Sequence, residues 1–144
     1  MPENEIQISP AEWQVMRVVW TRGSVTSTEL THLLAASTGW QAATVKTLLR
    51  RLVKKGFVAT TRHGRAFQYT PLVKERDAME KMADQLFDSL CAHQQGATLA
   101  EVVKHVTLSQ GDIDNLQAIL AAKKQTAPQE VACNCVGCEH HQSA

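Results

Sequence analysis

Residues 41–55 constrain this chain more than any other stretch. Taken at about 100° per residue, Val45, Leu48, Leu49, Leu52 and Val53 form one stripe of a helix. Lys46, Thr47, Arg50, Arg51 and Lys54 fall on the opposite side. A helix divided in this way buries one face and offers the other, basic and rich in hydrogen-bond donors, to a polyanion. Gly56 stops it. Phe57–Thr61 and Ala66–Thr70 then read as two short strands, with Arg62-His63-Gly64-Arg65 as the turn between them and Pro71 closing the unit.

Two helices precede this one. Ser9-Pro10-Ala11-Glu12 is a capping box with proline at the first helical position, so a helix is expected over about 10–21, with Trp13, Met16 and Trp20 at helical spacing and Arg22-Gly23 as its stop. Val25-Thr26, with Glu29 three residues on, combines a second box with a hydrophobic staple; Leu30, Leu33 and Leu34 are the expected buried stripe, and Ser37-Thr38-Gly39 breaks the chain. Three helices followed by a basic-tipped hairpin make a winged helix-turn-helix. The third helix is then the groove-reading element, with Lys46, Thr47 and Arg50 at the groove, Gln41 and Thr44 near the helix start, and Arg51 and Lys54 also among its DNA-binding residues; Arg62 and Arg65 bring the wing to phosphates or a minor groove.

The charge distribution agrees. Residues 1–71 carry nine Lys/Arg against four Asp/Glu, a surplus of five; residues 72–144 carry six against ten, a deficit of four. The net charge of +1 conceals a basic half that attracts polyanions and an acidic half that does not.

The acidic half reads as helical. Val73–His93 is expected as one long helix whose seam is Met79, Met82, Leu86 and Leu90, flanked by Phe87, with Gly96 ending it. Thr98 and Glu101 look like the cap of a short helix through Val106. Ser109 and Asp112 cap another, carrying Ile113, Leu116, Ile119 and Leu120. These apolar faces are too many for one thin layer, so an interleaved homodimer is the expected solution, with Met79, Met82, Leu86, Leu90, Ile113, Leu116 and Leu120 at its interface. The fold class is therefore mainly α with a small β wing. The expected divisions are 1–71 for DNA binding, 72–125 for helical dimerisation and 126–144 for a flexible tail.

That tail holds three of the four cysteines, Cys133, Cys135 and Cys138, followed at once by His140 and His141. Met1–Ile8 is polar and acidic, so no signal peptide is expected, and no apolar run could span a bilayer; a reducing cytoplasm is therefore expected and metal binding is favoured over disulfides. Three thiolates with His140 or His141 satisfy tetrahedral zinc, at Zn–S of about 2.3 Å and Zn–N of about 2.0–2.1 Å. Three thiolates alone suit Cu(I). Cys135-x-x-Cys138 is also a redox signature, though nothing thioredoxin-like surrounds it. Cys91, on the long helix near the apolar seam, reads as a buried structural thiol.

Ile8–Trp20 (ISPAEWQVMRVVW) and Thr44–Gly56 (TVKTLLRRLVKKG) resemble the BlaI/MecI/CopY family of bacterial repressors, a resemblance covering about residues 6–122. It implies a dimer with an N-terminal winged helix, a C-terminal helical dimerisation region and a short inverted-repeat operator. One branch of the family is inactivated by cleavage at an Asn-Phe bond; no Asn-Phe pair occurs here, and the corresponding stretch reads Leu99–Lys104. The CopY-like branch carries a C-terminal Cys-x-Cys-x4-Cys-x-Cys hook. This chain departs from that pattern, with only Val136-Gly137 between Cys135 and Cys138, and Glu139-His140-His141 in the closing positions. The resemblance implies that zinc supports the DNA-bound dimer and Cu(I) releases it. The alternatives are a BlaI/MecI-type repressor of antibiotic resistance released by proteolysis, and a thiol metal-storage or redox protein. No phosphate loop, nucleophile elbow or catalytic constellation is present, so an enzyme is not expected.

Overall fold

The computed structural model describes residues 7–138. The chain divides into two compact units between Ala83 and Asp84.

The first unit opens with α1 (Pro10–Arg22). Its box is reciprocal: the Glu12 amide donates to Ser9 Oγ at 3.1 Å and the Ser9 amide to Glu12 Oε1 at 3.4 Å. Thr26 and Glu29 repeat the arrangement at the head of α2 (Ser27–Thr38). Then come α3 (Ala42–Lys55), β2 (Val58–His63) and β3 (Ala66–Pro71). Val25–Thr26 is more than a staple; it forms a short strand, β1, antiparallel to β3 with Val25 opposite Tyr69. The sheet order is β1-β3-β2. Two residues cannot signal a strand by alternation, so the sequence concealed it.

The core gathers one stripe from each helix. Val15, Met16 and Val19 of α1 pack with Leu30 and Leu34 of α2, with Val45, Leu48, Leu49 and Leu52 of α3, and with Val25 and Val58 of the sheet. Leu33 departs from expectation: it is 43% exposed, because it lies a further turn-step around α2 from the face that Leu30 and Leu34 bury. The Trp13 and Trp20 rings meet edge to face, 5.3 Å apart, and Trp20 Nε1 donates to the Val73 carbonyl at 2.9 Å. The first unit thus continues past the hairpin.

Glu12 is the buried acid of this core. Burial alone would raise its pKa, but hydrogen bonds from Lys55 and Ser9 outweigh burial and hold it below the ordinary carboxylate value. Lys55 Nζ lies 2.8 Å from Glu12 Oε1 and also donates to the Gln7 carbonyl at 2.7 Å. A depressed folded pKa stabilises the native state above the unfolded pKa, and that contribution is lost as pH falls through the folded value. Stability should therefore decline as pH drops below the ordinary carboxylate range. Lys55→Met, which strands the carboxylate, should cost about 1–3 kcal/mol at neutral pH. Urea unfolding at several pH values measures both; an acid profile unchanged in Glu12→Gln would remove Glu12 from the account.

α4 (Glu75–Asp88), α5 (Ala92–His105) and α6 (Gln110–Lys124) follow. The expected single helix over 73–93 is broken. Ser89 Oγ donates back to the Leu86 carbonyl at 2.6 Å, and Gln95 Nε2 takes the Phe87 and Leu90 carbonyls at 2.6 and 3.2 Å. Side chains thus satisfy the last carbonyls of α4, and a stop forms without glycine or proline. Gly96 does not end a helix; it lies inside α5. Nor does Thr98 begin one: its hydroxyl donates to the Gln94 carbonyl at 2.9 Å, the back-bonding of a mid-helix threonine. Ser109 caps α6 as expected, with Asp112. No residue from 84 to 138 is buried.

Candidate nucleic-acid interface and thiol cluster

The outward face of α3 is laid out as its periodicity requires. Gln41 is the N-cap residue, and Thr44, Lys46, Thr47, Arg50, Arg51 and Lys54 are all exposed while Val45, Leu48, Leu49 and Leu52 are buried beneath them. Thr47 Oγ1 donates to the Ala43 carbonyl at 3.0 Å, which orients the hydroxyl and leaves its lone pairs outward. Val53 is only half-buried, at the edge of the stripe.

The wing is tighter than a four-residue turn. Arg62 and His63 belong to β2, opposite Phe67 and Ala66, so the loop is Gly64-Arg65 alone. Gly64 has φ +63, which glycine adopts at the first position of a two-residue loop without steric cost. Arg62 Nε donates to the Gly64 carbonyl at 3.1 Å, and its guanidinium lies 5.9 Å from the centre of the Phe67 ring. Arg62 is thereby braced along the hairpin. Arg65 instead lines an open cleft with Lys46 and Arg50 of α3, Tyr69 of β3 and Thr26, Ser27 and Thr28 at the start of α2. Sequence reasoning missed Ser27 and Thr28 as members of this concave basic face. The second capping box was the available signal, since it locates a helix N-terminus, where amides favour anions.

The thiols sit in the second unit. The Sγ atoms of Cys91, Cys133 and Cys135 all lie within 4.8 Å of one another. Cys91 Sγ donates to Cys133 Sγ at 3.4 Å. Cys91 is thus not the buried structural thiol expected of it: it is half-buried and is the N-cap residue of α5. Only the break after α4 puts it there. The Cys135 thiol is pushed up to about 12, by its hydrogen bonds to Cys133 and then to Cys91. Crowded thiols resist carrying charge together; a bound cation reverses that balance. Cys138 stands outside the trio, its amide donating to the Cys135 carbonyl at 3.4 Å across Val136-Gly137. His140 and His141 lie outside the described residues.

The donor chemistry fits a soft metal. Tetrahedral zinc at Zn–S of about 2.3 Å places its sulfurs about 3.8 Å apart; the three sulfurs here lie within 4.8 Å of one another, Cys91 and Cys133 at 3.4 Å. A C-terminal cysteine cluster able to hold a metal is therefore part of this chain.

A family model, the penicillinase repressor, matches residues 8–122. The chain belongs to the penicillinase repressor family. It is 49% identical over 136 residues to an uncharacterised 16.5 kDa protein of Latilactobacillus sakei, covering 94% of this chain and 93% of that one. It is 31% identical over 118 residues to the penicillinase repressor of Bacillus licheniformis, covering 82% and 92%. The structure of a CopR repressor is similar at 43% identity over 48% of this chain and 100% of that chain, with a TM-score of 0.42. Members of the family are DNA-binding transcriptional repressors, not enzymes. This chain is accordingly a transcriptional repressor with a winged-helix DNA-binding domain. Among the described residues, no helix is long and apolar enough to cross a membrane.

Proposed function

We propose that this repressor is copper-responsive, of the CopY-like branch: a cytoplasmic homodimer on an inverted-repeat operator, supported by zinc and released by Cu(I). The observation that carries the reading is the gathering of two tail thiol sulfurs, those of Cys133 and Cys135, with that of Cys91 in a DNA-binding repressor. Cys133, Cys135 and Cys138 with His140 or His141 supply a four-ligand set for zinc; thiolates alone suffice for Cu(I), whose softness favours them. The exposed seam supports the dimer. Met79 and Leu86 are 54% and 59% exposed, and Ile113 and Leu120 are exposed as well, more apolar surface than a lone helical region leaves in water. Release by cleavage lacks its Asn-Phe bond and gives the thiols no role.

The test is operator affinity, by fluorescence anisotropy in anaerobic buffer, with Zn(II), Cu(I) or the thiol oxidant diamide. Release by Cu(I) alone is expected. Release by diamide as readily as by Cu(I) would turn the reading to redox sensing, and indifference to every addition would end it.

On DNA, Lys46, Thr47 and Arg50 reach base edges in the major groove, near Gln41 and Thr44, while Arg51 and Lys54 meet phosphates and Arg62 and Arg65 track the backbone. Arg50→Ala or Thr47→Ala should cost roughly 1–3 kcal/mol and alter sequence preference, whereas Arg51→Ala weakens all sites alike. Replacing both wing arginines should shallow the slope of log affinity against log salt by up to about two. Binding selections and salt titrations read these out; unchanged preference in both helix variants, or an unchanged slope, removes the corresponding contact.

A further inference from the structure

We infer that Cys91 is the third thiolate of a Cu(I) site completed by Cys133 and Cys135, and that filling this site fastens the tail to the head of α5. The inference rests on the copper-sensing reading and changes its ligand set: one donor comes from the helical region, and Cys138 is not among the three.

The placement of the tail carries the argument. Cys91 occupies the joint between α4 and α5 with non-helical backbone, φ −55 and ψ 123, and its side chain makes no capping bond. Its sulfur is turned instead toward Cys133, 3.4 Å away, in a group that Cys135 closes to within 4.8 Å. The tail beside it is laced to the same turn. Asn134, between the two tail cysteines, accepts from the Ala92 amide through Oδ1 at 2.9 Å, occupying a helix-start donor that would otherwise lack a partner. Three residues earlier, the Val131 carbonyl meets His93 Nδ1 at 2.8 Å. The Cys135 amide donates to Cys133 Sγ at 3.3 Å, a bond that strengthens when that sulfur is a thiolate. Three soft donors from two separate segments, held by neighbouring polar ties, match a three-coordinate Cu(I) centre.

The joint is a lever. Leu90 of the apolar seam immediately precedes Cys91, and Gln95, in the first turn of α5, donates to the Phe87 carbonyl of α4 and to the Leu90 carbonyl in the joint. A metal clip at Cys91 therefore biases the path of the chain between the two helices. It opposes operator binding only to the extent that the clipped arrangement favours the DNA-free state.

The test uses the full chain, reduced and anaerobic. One equivalent of Cu(I) is added as its acetonitrile complex, and the rate at which iodoacetamide alkylates each cysteine is followed by peptide mass spectrometry. Cys91, Cys133 and Cys135 should be protected together while Cys138 stays reactive. Cys91→Ser keeps a residue favoured at a helix N-cap, so the fold is retained. It should lower Cu(I) affinity, in competition with bicinchoninate, on the order of a hundredfold, the upper end of what loss of an outer-shell partner alone can cost. Cys138→Ser should change it little. Protection of Cys133, Cys135 and Cys138 with Cys91 left reactive overturns this ligand set and leaves copper sensing by the tail intact. A Cys91–Cys133 disulfide under mild oxidant, without Cu(I) protection of any thiol, overturns both, as does the absence of all protection.

Discussion

A chain ending at Ala83 should fold, sediment as a monomer and bind an operator roughly 10²–10⁴-fold more weakly than the full chain, the factor lost when two linked half-site contacts become independent. The first unit carries its own core from Ile8 to Val58, whereas nothing from 84 to 138 is buried. A helical region without a buried residue has little to offset its own ordering entropy, and in the proposed dimer a second copy covers Leu86, Ile113, Ile119 and Leu120. The cut belongs after Ala83 and not after Pro71, where the hairpin closes. A shorter chain would lose Val73, whose carbonyl accepts from Trp20, and Ala78, which is fully buried. Analytical ultracentrifugation and anisotropy on one full operator decide the matter. A truncated chain that dimerises as tightly as the intact protein, or binds as well, would place the dimer contact in the winged helix.

Replacing Cys133, Cys135 and Cys138 together by serine should leave a folded dimer that binds the operator with the affinity of the zinc-free protein and no longer releases DNA at Cu(I) concentrations that fully release the native protein. Serine removes the soft donors and keeps the size and hydrogen bonding of each site. Cys91 then remains as one thiolate, too few donors to hold Cu(I) against cellular competition. Substituting His140 and His141 should weaken zinc more than copper, since a three-thiolate centre needs no imidazole. Circular dichroism and sedimentation establish that the variant is intact, and anisotropy with Cu(I) reads the response. Release at the native Cu(I) concentration would show that the sensor lies elsewhere.

The helices of the winged helix and their two-faced third member were legible because their determinants are local. Ser9/Glu12 and Thr26/Glu29 announce helix starts within three positions, Gly56 marks a stop, and the two-faced pattern of 42–55 names both the core and the basic surface. The tail's soft donors stand in the sequence as a cluster within nine positions, but the structure gathers only Cys133 and Cys135 of them, with Cys91, and leaves Cys138 outside. Tertiary structure decided what depended on distant partners. β1 exists only because Val25 pairs with Tyr69, more than forty residues away. The helix over 73–93 breaks because Gln95 folds back on the Phe87 and Leu90 carbonyls, a stop that no glycine or proline signals. That break frees Cys91 from a continuous helix and sets it against Cys133, forty-two residues along the chain. Spacing within a helix or a turn can be counted along the chain; a thiol cluster closed across a chain reversal is decided by where the backbone turns back.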